Sequence, residues 1–361
     1  MSVRLRSLLR RFRSWFFALT AASTLVLAPG AMAYEDADGD TIDDGIELAT
    51  ERNVAVATYP HVAPYGLTIT SQSVGADVND KFRVRYEAGE FEVEYLPDAS
   101  SGRVETRYSL EIASVVEWVD NVVPNGQVDA GEIASVLTLG DSGFGGLRVN
   151  VTEYTSADGG NVDEFTIRSA GNRVTLTLVI AQRFLRVSET KVLTPMEAKL
   201  DIRVNHTLGS AGARVGLEFA IDIDTDDEMS FANESWDVKH DYSINESWIN
   251  VTGGSTASPS TVFFAWSNDA TVDGVSARTL VTRPQGTSGA YRMFAVYPAS
   301  VSEPTSALHV ASIGVVSEAF ADLIRSVIPL GDPVLFVSSF VVVAATVGAS
   351  MIIAKRRRRK D

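Results

Sequence analysis

Apolar and polar residues alternate along most of the chain between Leu67 and Val316. The stretch "KFRVRYEAGEFEVEYL" (Lys81 to Leu96) is two period-two runs around Ala88-Gly89, which predicts a β-hairpin turning at that pair. "RVETRYSLEIASVVEWV", "GLRVNVTEY", "DEFTIRS" and "RVTLTLVIAQRFLRV" carry the same period. "EAKLDIRVNHTL", "RVGLEFAIDID", "TVFFAWS", "YRMFAVYP" and "SALHVASIGVV" extend it. Gly, Asn, Asp and Ser clusters separate these runs, and no long amphipathic helix interrupts them. That argues against βαβ units and a parallel nucleotide-binding sheet. The predicted fold class is all-β: about a dozen strands in one large antiparallel β-sandwich, or in two smaller ones. "NESW" occurs at Asn233 to Trp236 and again at Asn245 to Trp248, and reads as chance or as a local duplication within a polar surface loop.

Two apolar runs at the ends follow a different rule. Arg4, Arg6, Arg10, Arg11 and Arg13 precede "WFFALTAASTLVL" (Trp15 to Leu27), and Ala31-Met32-Ala33 offers small residues for cleavage. This is the pattern of an export signal. "VLFVSSFVVVAATVGASMIIA" (Val334 to Ala354) carries no charge, and at about 1.5 Å per residue it is long enough for a bilayer core of about 30 Å. "KRRRRK" (Lys355 to Lys360) follows directly and by the positive-inside rule stays in the cytoplasm. The expected organisation is a signal peptide at 1–33, a calcium-loop segment at 34–60 and a sandwich ectodomain at 61–316. A stalk at 317–333, a transmembrane helix at 334–354 and a basic tail at 355–361 complete it. The expected location is the cell membrane, spanned once, with the ectodomain outside.

Charge then has to be counted by compartment. Of 31 Lys and Arg, 20 lie between signal and tail, against 45 of the 46 Asp and Glu, so the exported part is near −25. Such a surface repels nucleic acid and favours cations. The chain has no cysteine, which excludes a disulfide framework. Stability must come from the core, from bound ions, or from both.

One acidic stretch has the spacing of a calcium site. In "DADGDTIDDGIE", Asp36, Asp38, Asp40, Ile42, Asp44 and Glu47 fall at positions 1, 3, 5, 7, 9 and 12 of an EF-hand-type loop. Ile42 would ligate through its carbonyl and Glu47 through both carboxylate oxygens. Hard oxygen donors at this spacing suit Ca²⁺, the expected cofactor. Thr41 stands at position 6, where Gly makes the sharp turn most easily. The loop resembles those of thrombospondin type 3 repeats and dockerins, over twelve residues only. "TPMEAKLDIRVN", "LEFAIDID" and "FFAWSNDATVDG" resemble segments of uncharacterised archaeal membrane-anchored surface proteins, a family that implies no known activity.

Weaker features remain. Asp120, Asn125, Asp129 and Glu132 form a degenerate second loop, balanced evenly against a polar turn between strands. Asp222, Asp224, Asp226, Asp227 and Glu228 are a further acidic run, read as a solvated strand end. Asn150, Asn205, Asn233, Asn245 and Asn250 head N-x-S/T sequons and are candidate glycosylation sites. "GDSG" (Gly140 to Gly143) reads as a glycine turn rather than a protease nucleophile motif. His61, His206, His240 and His309 are the only histidines, too few for a typical His-rich zinc site. The expectation is a non-enzymatic surface protein with a structural, adhesive or ligand-binding role toward an extracellular protein or glycan. The alternative is a membrane-tethered, glycan-acting hydrolase using paired carboxylates.

Overall fold

The computed structural model describes residues 42, 44–58, 66–74, 79–119, 128–144, 149–157, 159–187, 192–210, 212–224, 227–233, 246–253, 260–298, 305–317 and 320. Two short helices occur among them, α1 (Asp44–Ala49) and α2 (Gly140–Phe144). The first strands are β1 (Arg52–Thr58), β2 (Gly66–Ser73), β3 (Lys81–Glu87), β4 (Glu90–Leu96), β5 (Thr106–Trp118) and β6 (Ile133–Thr138). Then come β7 (Asn150–Thr155), β8 (Asn161–Arg168), β9 (Val174–Ala181), β10 (Leu185–Arg186) and β11 (Val192–Leu193). β12 (Glu197–His206), β13 (Arg214–Ile223), β14 (Glu228–Asn233), β15 (Glu246–Gly253) and β16 (Ser260–Val272) follow. The last are β17 (Val275–Arg278), β18 (Leu280–Val281), β19 (Gln285–Thr287), β20 (Ala290–Val296) and β21 (Thr305–Ser317).

These strands form two large antiparallel sheets. One runs β1-β2-β3-β4-β5-β13-β20-β18, with β6 on β5 and β19 on β20. The other runs β14-β15-β16-β21-β12-β9-β8-β7, with β17 on β16. β10 and β11 pair separately. The all-β antiparallel expectation holds, and no βαβ crossover is present among the described residues.

Alternation explains which face each sheet buries. In β3 and β4, Phe82, Val84, Tyr86, Phe91, Val93 and Tyr95 point inward and are nearly fully buried. Their outward neighbours pair across the register: Arg83 with Glu94, and Arg85 with Glu92 at 2.7 Å. The hairpin turns where the sequence predicts, with positive φ at Ala88 (52°) and Gly89 (96°). Two left-handed residues match a type I′ turn, whose twist suits the flanking strands. Gly89 is needed for a second reason, because a Cβ there would lie 2.6 Å from the Phe144 ring of α2.

The two inner faces meet in one continuous apolar cluster that includes Phe82, Phe91, Leu110, Phe219, Phe264, Trp266, Leu200 and Ile313. Phe219 of one sheet lies 5.6 Å, centroid to centroid, from Phe264 of the other. Polar ties cross the same space: the buried Tyr108 hydroxyl donates to the Phe263 carbonyl at 2.8 Å, and Thr106 and Ser260 hydroxyls meet at 2.5 Å. Each inward Phe, Leu or Val contributes about 1.5–3 kcal/mol by leaving water. The choice between one sandwich and two thus resolves to one packed core.

The described sheet extends beyond the sequence-based boundaries. Residues 52–58, assigned from sequence to the acidic segment, are β1, an edge strand of the ten-stranded sheet. The second "NESW" is not a loop. Glu246-Ser247-Trp248 opens β15, which lies between β14 and β16, and its core-facing residues are buried. A strand covered on both faces loses the polar alternation that makes strands legible. Among the described residues no helix is long and apolar enough to cross a membrane. The signal at 1–33 and the apolar segment 334–354 lie outside the described residues.

The first strand and the end of the last come together around a buried arginine. Arg52 of β1 donates from Nη1 to Asp80 Oδ1 at 2.8 Å and from Nε to Ser71 Oγ at 3.0 Å. Ser71 Oγ donates in turn to the Pro195 carbonyl at 2.6 Å. The Tyr95 hydroxyl donates to Asp80 Oδ2 at 3.2 Å and is also hydrogen-bonded by Ser317, the last residue of β21. Burial, with the Asp80 charge adding to it, raises the Tyr95 phenol above its ordinary pKa. The Arg52 guanidinium lies 5.9 Å from the centroid of the buried Phe320 ring.

Candidate functional sites

Of the acidic loop, Ile42, Asp44 and Glu47 are described, while Asp36, Asp38 and Asp40 lie outside the described residues. Ile42 packs against the core. Helix α1 begins at Asp44, the ninth loop position, and Glu47 in its first turn is fully buried. Thr50 closes the helix, its hydroxyl donating to the Ile46 carbonyl at 2.8 Å. No cluster of three or more metal-ligating side chains occurs among the described residues.

At the second loop, Asp120 and Asn125 lie outside the described residues. Asp129 and Glu132 flank a single 3-10 turn (Ala130–Glu132). Glu132 Oε2 accepts the Trp118 indole N–H at 2.8 Å and the Asp129 backbone N–H at 3.3 Å. This carboxylate fastens the turn to β5. In the third acidic run, Asp224 forms a two-pronged pair with Arg107, at 2.9 and 3.1 Å, on the outer face.

The sequons differ in accessibility. Asn150 is exposed at the start of β7, and Asn205 is half-buried in β12. Asn233 ends β14, and Asn245 lies outside the described residues. Asn250 is 2% exposed inside β15, with neighbours on both sides, so the folded sandwich has no room for a glycan on it. That removes Asn250 from the acceptor candidates. The "GDSG" stretch forms most of α2, between β6 and β7. His61 and His240 lie outside the described residues. His309 is buried; its Nε2 donates to the Ser267 carbonyl at 2.6 Å, and burial holds its pKa below the ordinary value.

Two constellations have no counterpart in the sequence reading. The first centres on Glu117, which is 4% exposed near the end of β5. Its Oε1 accepts from His206 Nε2 and from the Gly209 N–H, both at 2.9 Å, and Oε2 accepts the Ser210 N–H at 3.0 Å. Burial pushes the carboxyl pKa up, but the Gly209, His206 and Ser210 hydrogen bonds outweigh it and lower the pKa to about 2. His206 and Glu117 lie 89 residues apart, so no sequence motif joins them.

The second is a cavity of about 310 Å³ at the open edge between the sheets, where the chain crosses from β17 to β18. Trp266, Thr279, Ser247, Asn268, Arg278 and Phe231 contribute to its wall. The Trp266 and Phe231 rings stack with centroids 6.1 Å apart. Ser247 Oγ donates to Asn268 Oδ1 at 2.6 Å. Trp266 Nε1 and Thr279 Oγ1 are buried and have no hydrogen-bond partner among the described residues. A register shift in β16 between Trp266 and Ala270 re-aims this stretch. Alternation alone does not reveal such an irregularity.

No protein-family model matches the chain, and no curated protein matches it. Among solved structures, the chain is similar to a family GH92 inverting mannosidase from Bacteroides thetaiotaomicron VPI-5482. The identity is 6% and the TM-score 0.26, over 68% of this chain and 27% of the mannosidase. The chain thus aligns with about a quarter of that enzyme's length. At this distance the similarity carries nothing about activity.

Proposed function

We propose that the chain is a non-enzymatic surface protein, anchored by residues 334–354, whose sandwich is displayed outside the cell and stabilised by Ca²⁺. Its role is structural, adhesive or ligand-binding toward an extracellular protein or glycan. The observation that supports the calcium assignment most is the burial of Glu47 at the twelfth loop position, in a helix that begins at the ninth. In that register Glu47 is the bidentate ligand, and the aspartates at positions 1, 3 and 5 precede it in the sequence. The Arg52 guanidinium lies 5.9 Å from the Phe320 ring centroid, so the strand after this loop sits beside Phe320.

Calorimetry on the full chain tests this reading. Chelation should lower the melting temperature, and Ca²⁺ should restore it, by about 5 °C when calcium is 100-fold above its Kd. Asp36→Ala combined with Glu47→Gln should remove most of that response. A calcium response of undiminished size in the double variant would sink the assignment.

A further inference from the structure

We infer that Asn150 carries an N-linked oligosaccharide, and that this glycan guards the open edge of β7 against pairing with other strands. The argument starts at the edge. β7 is the last strand of the nine-stranded sheet and, among the described residues, pairs with β8 alone. The backbone N–H and C=O groups on its far side therefore face no described strand, which makes it a template for a further one. Folded proteins blunt such edges with lysine, proline, a bulge or extreme shortness. β7 ("NVTEYT") has six residues, an unbroken register with β8, and no lysine, arginine or proline. Both of its faces are wet: every residue is exposed, Val151 at 40% and Tyr154 at 44%. A regular, partly apolar edge of this kind pairs with a second chain unless something covers it.

A candidate cover is written into the same six residues. Asn150-Val151-Thr152 is a sequon, and all three positions are exposed, whereas Asn205 is half-buried and Asn250 buried. By alternation Asn150, Thr152 and Tyr154 share one face of β7. A sugar on Asn150 thus lies along that face toward the exposed Tyr154 ring, whose apolar surface can pack against it. The glycan is bulky and solubilising, which is what an unguarded edge lacks. Its attachment exchanges one bond for another. Asn150 Nδ2 bonds to the anomeric carbon of an oligosaccharide carried on a lipid phosphate, and the carbon–oxygen bond to that phosphate breaks. The amide gives up one proton and the lipid phosphate leaves; nothing is oxidised or reduced.

This inference rests on the display of the sandwich outside the cell, where such a transfer takes place, and is independent of the calcium assignment. The full chain is purified from the cells that produce it, digested, and read by mass spectrometry with fragmentation that leaves side-chain sugars attached. Asn150 should carry carbohydrate in most copies and Asn250 none. A bare Asn150 overturns the inference. Protease treatment of the same intact cells reads display separately, so a bare Asn150 on an accessible chain leaves the proposed function standing. The guarding role is read by light scattering on the full chain in detergent. Asn150→Gln and Thr152→Ala, which each abolish the sequon, should move the protein mass toward twice the wild-type value as concentration rises. Thr152→Ser keeps the sequon and should match the wild type. Tyr154→Lys added to Asn150→Gln puts a charge on the bare edge and should restore the wild-type mass. These positions are exposed, so the melting temperature should change little. Wild-type mass in both sequon-less variants, or association that Tyr154→Lys does not reverse, would overturn the guarding of this edge.

Discussion

A carboxylate withdrawn from water stays ionised only when donors meet its oxygens, and Glu117 is met by three. Its folded pKa, about 2, lies below its ordinary value of 4.5. The unfolded chain therefore binds the proton more readily, and Glu117 stabilises the fold above its ordinary pKa. That contribution fades as pH falls from about 4.5 toward about 2. Glu117→Gln should lower stability by about 2 kcal/mol at pH 7, and the gap to the wild type should close across that window. Urea unfolding of both forms at several pH values reads this, and a gap independent of pH would refute it. None of this was legible in the sequence, because the partners of Glu117 come from the end of β12 and the turn after it. The opposite case is Asn250, where the sequon was legible and its accessibility was not. Burial depends on which strands flank it, and neither β14 nor β15 stands out by alternation.

Elements with one wet face were the readable ones. β3, β4, β12 and β13 alternate cleanly, and the Ala88-Gly89 turn announces its hairpin. β1 was missed because its apolar stripe is only Val54 and Val56, half-buried, and its strongest fastening is a buried ion pair. Arg52 and Asp80 are 2% and 1% exposed and hold β1 to the loop before β3, across 28 residues of chain. Removing one member of such a pair costs about 3–5 kcal/mol, because the other charge is left buried. Arg52→Met should therefore destabilise the chain by roughly that amount, and adding Asp80→Asn should recover part of the loss. Chemical denaturation of the single and double variants distinguishes this from a simple packing defect. A packing defect at Arg52 would leave the second substitution additive rather than compensating.

At the scale of the molecule, the inner faces of both sheets are one apolar surface folded on itself. Phe219, Phe264 and Trp266 belong to the same cluster as Phe82, Phe165 and Ile313, so neither sheet has a core of its own. Peeling one sheet away exposes the whole inner face of the other, a penalty of many buried side chains at once. The first and last strands add to this coupling, since Arg52 reaches Phe320 and Ser317 reaches Tyr95. The sandwich should unfold as one unit, with equal calorimetric and van't Hoff enthalpies at saturating calcium. Native-state hydrogen exchange resolves the same behaviour by strand. Amides of β5, β13, β16, β21 and β12, each paired on both sides, should exchange only through that global opening. β7, an exposed edge strand, should open locally at a lower free energy. Two calorimetric transitions, with β1–β5 losing protection before β12 and β21, would mean that the sheets fold as separate units. The single shared core leaves no physical route to that result.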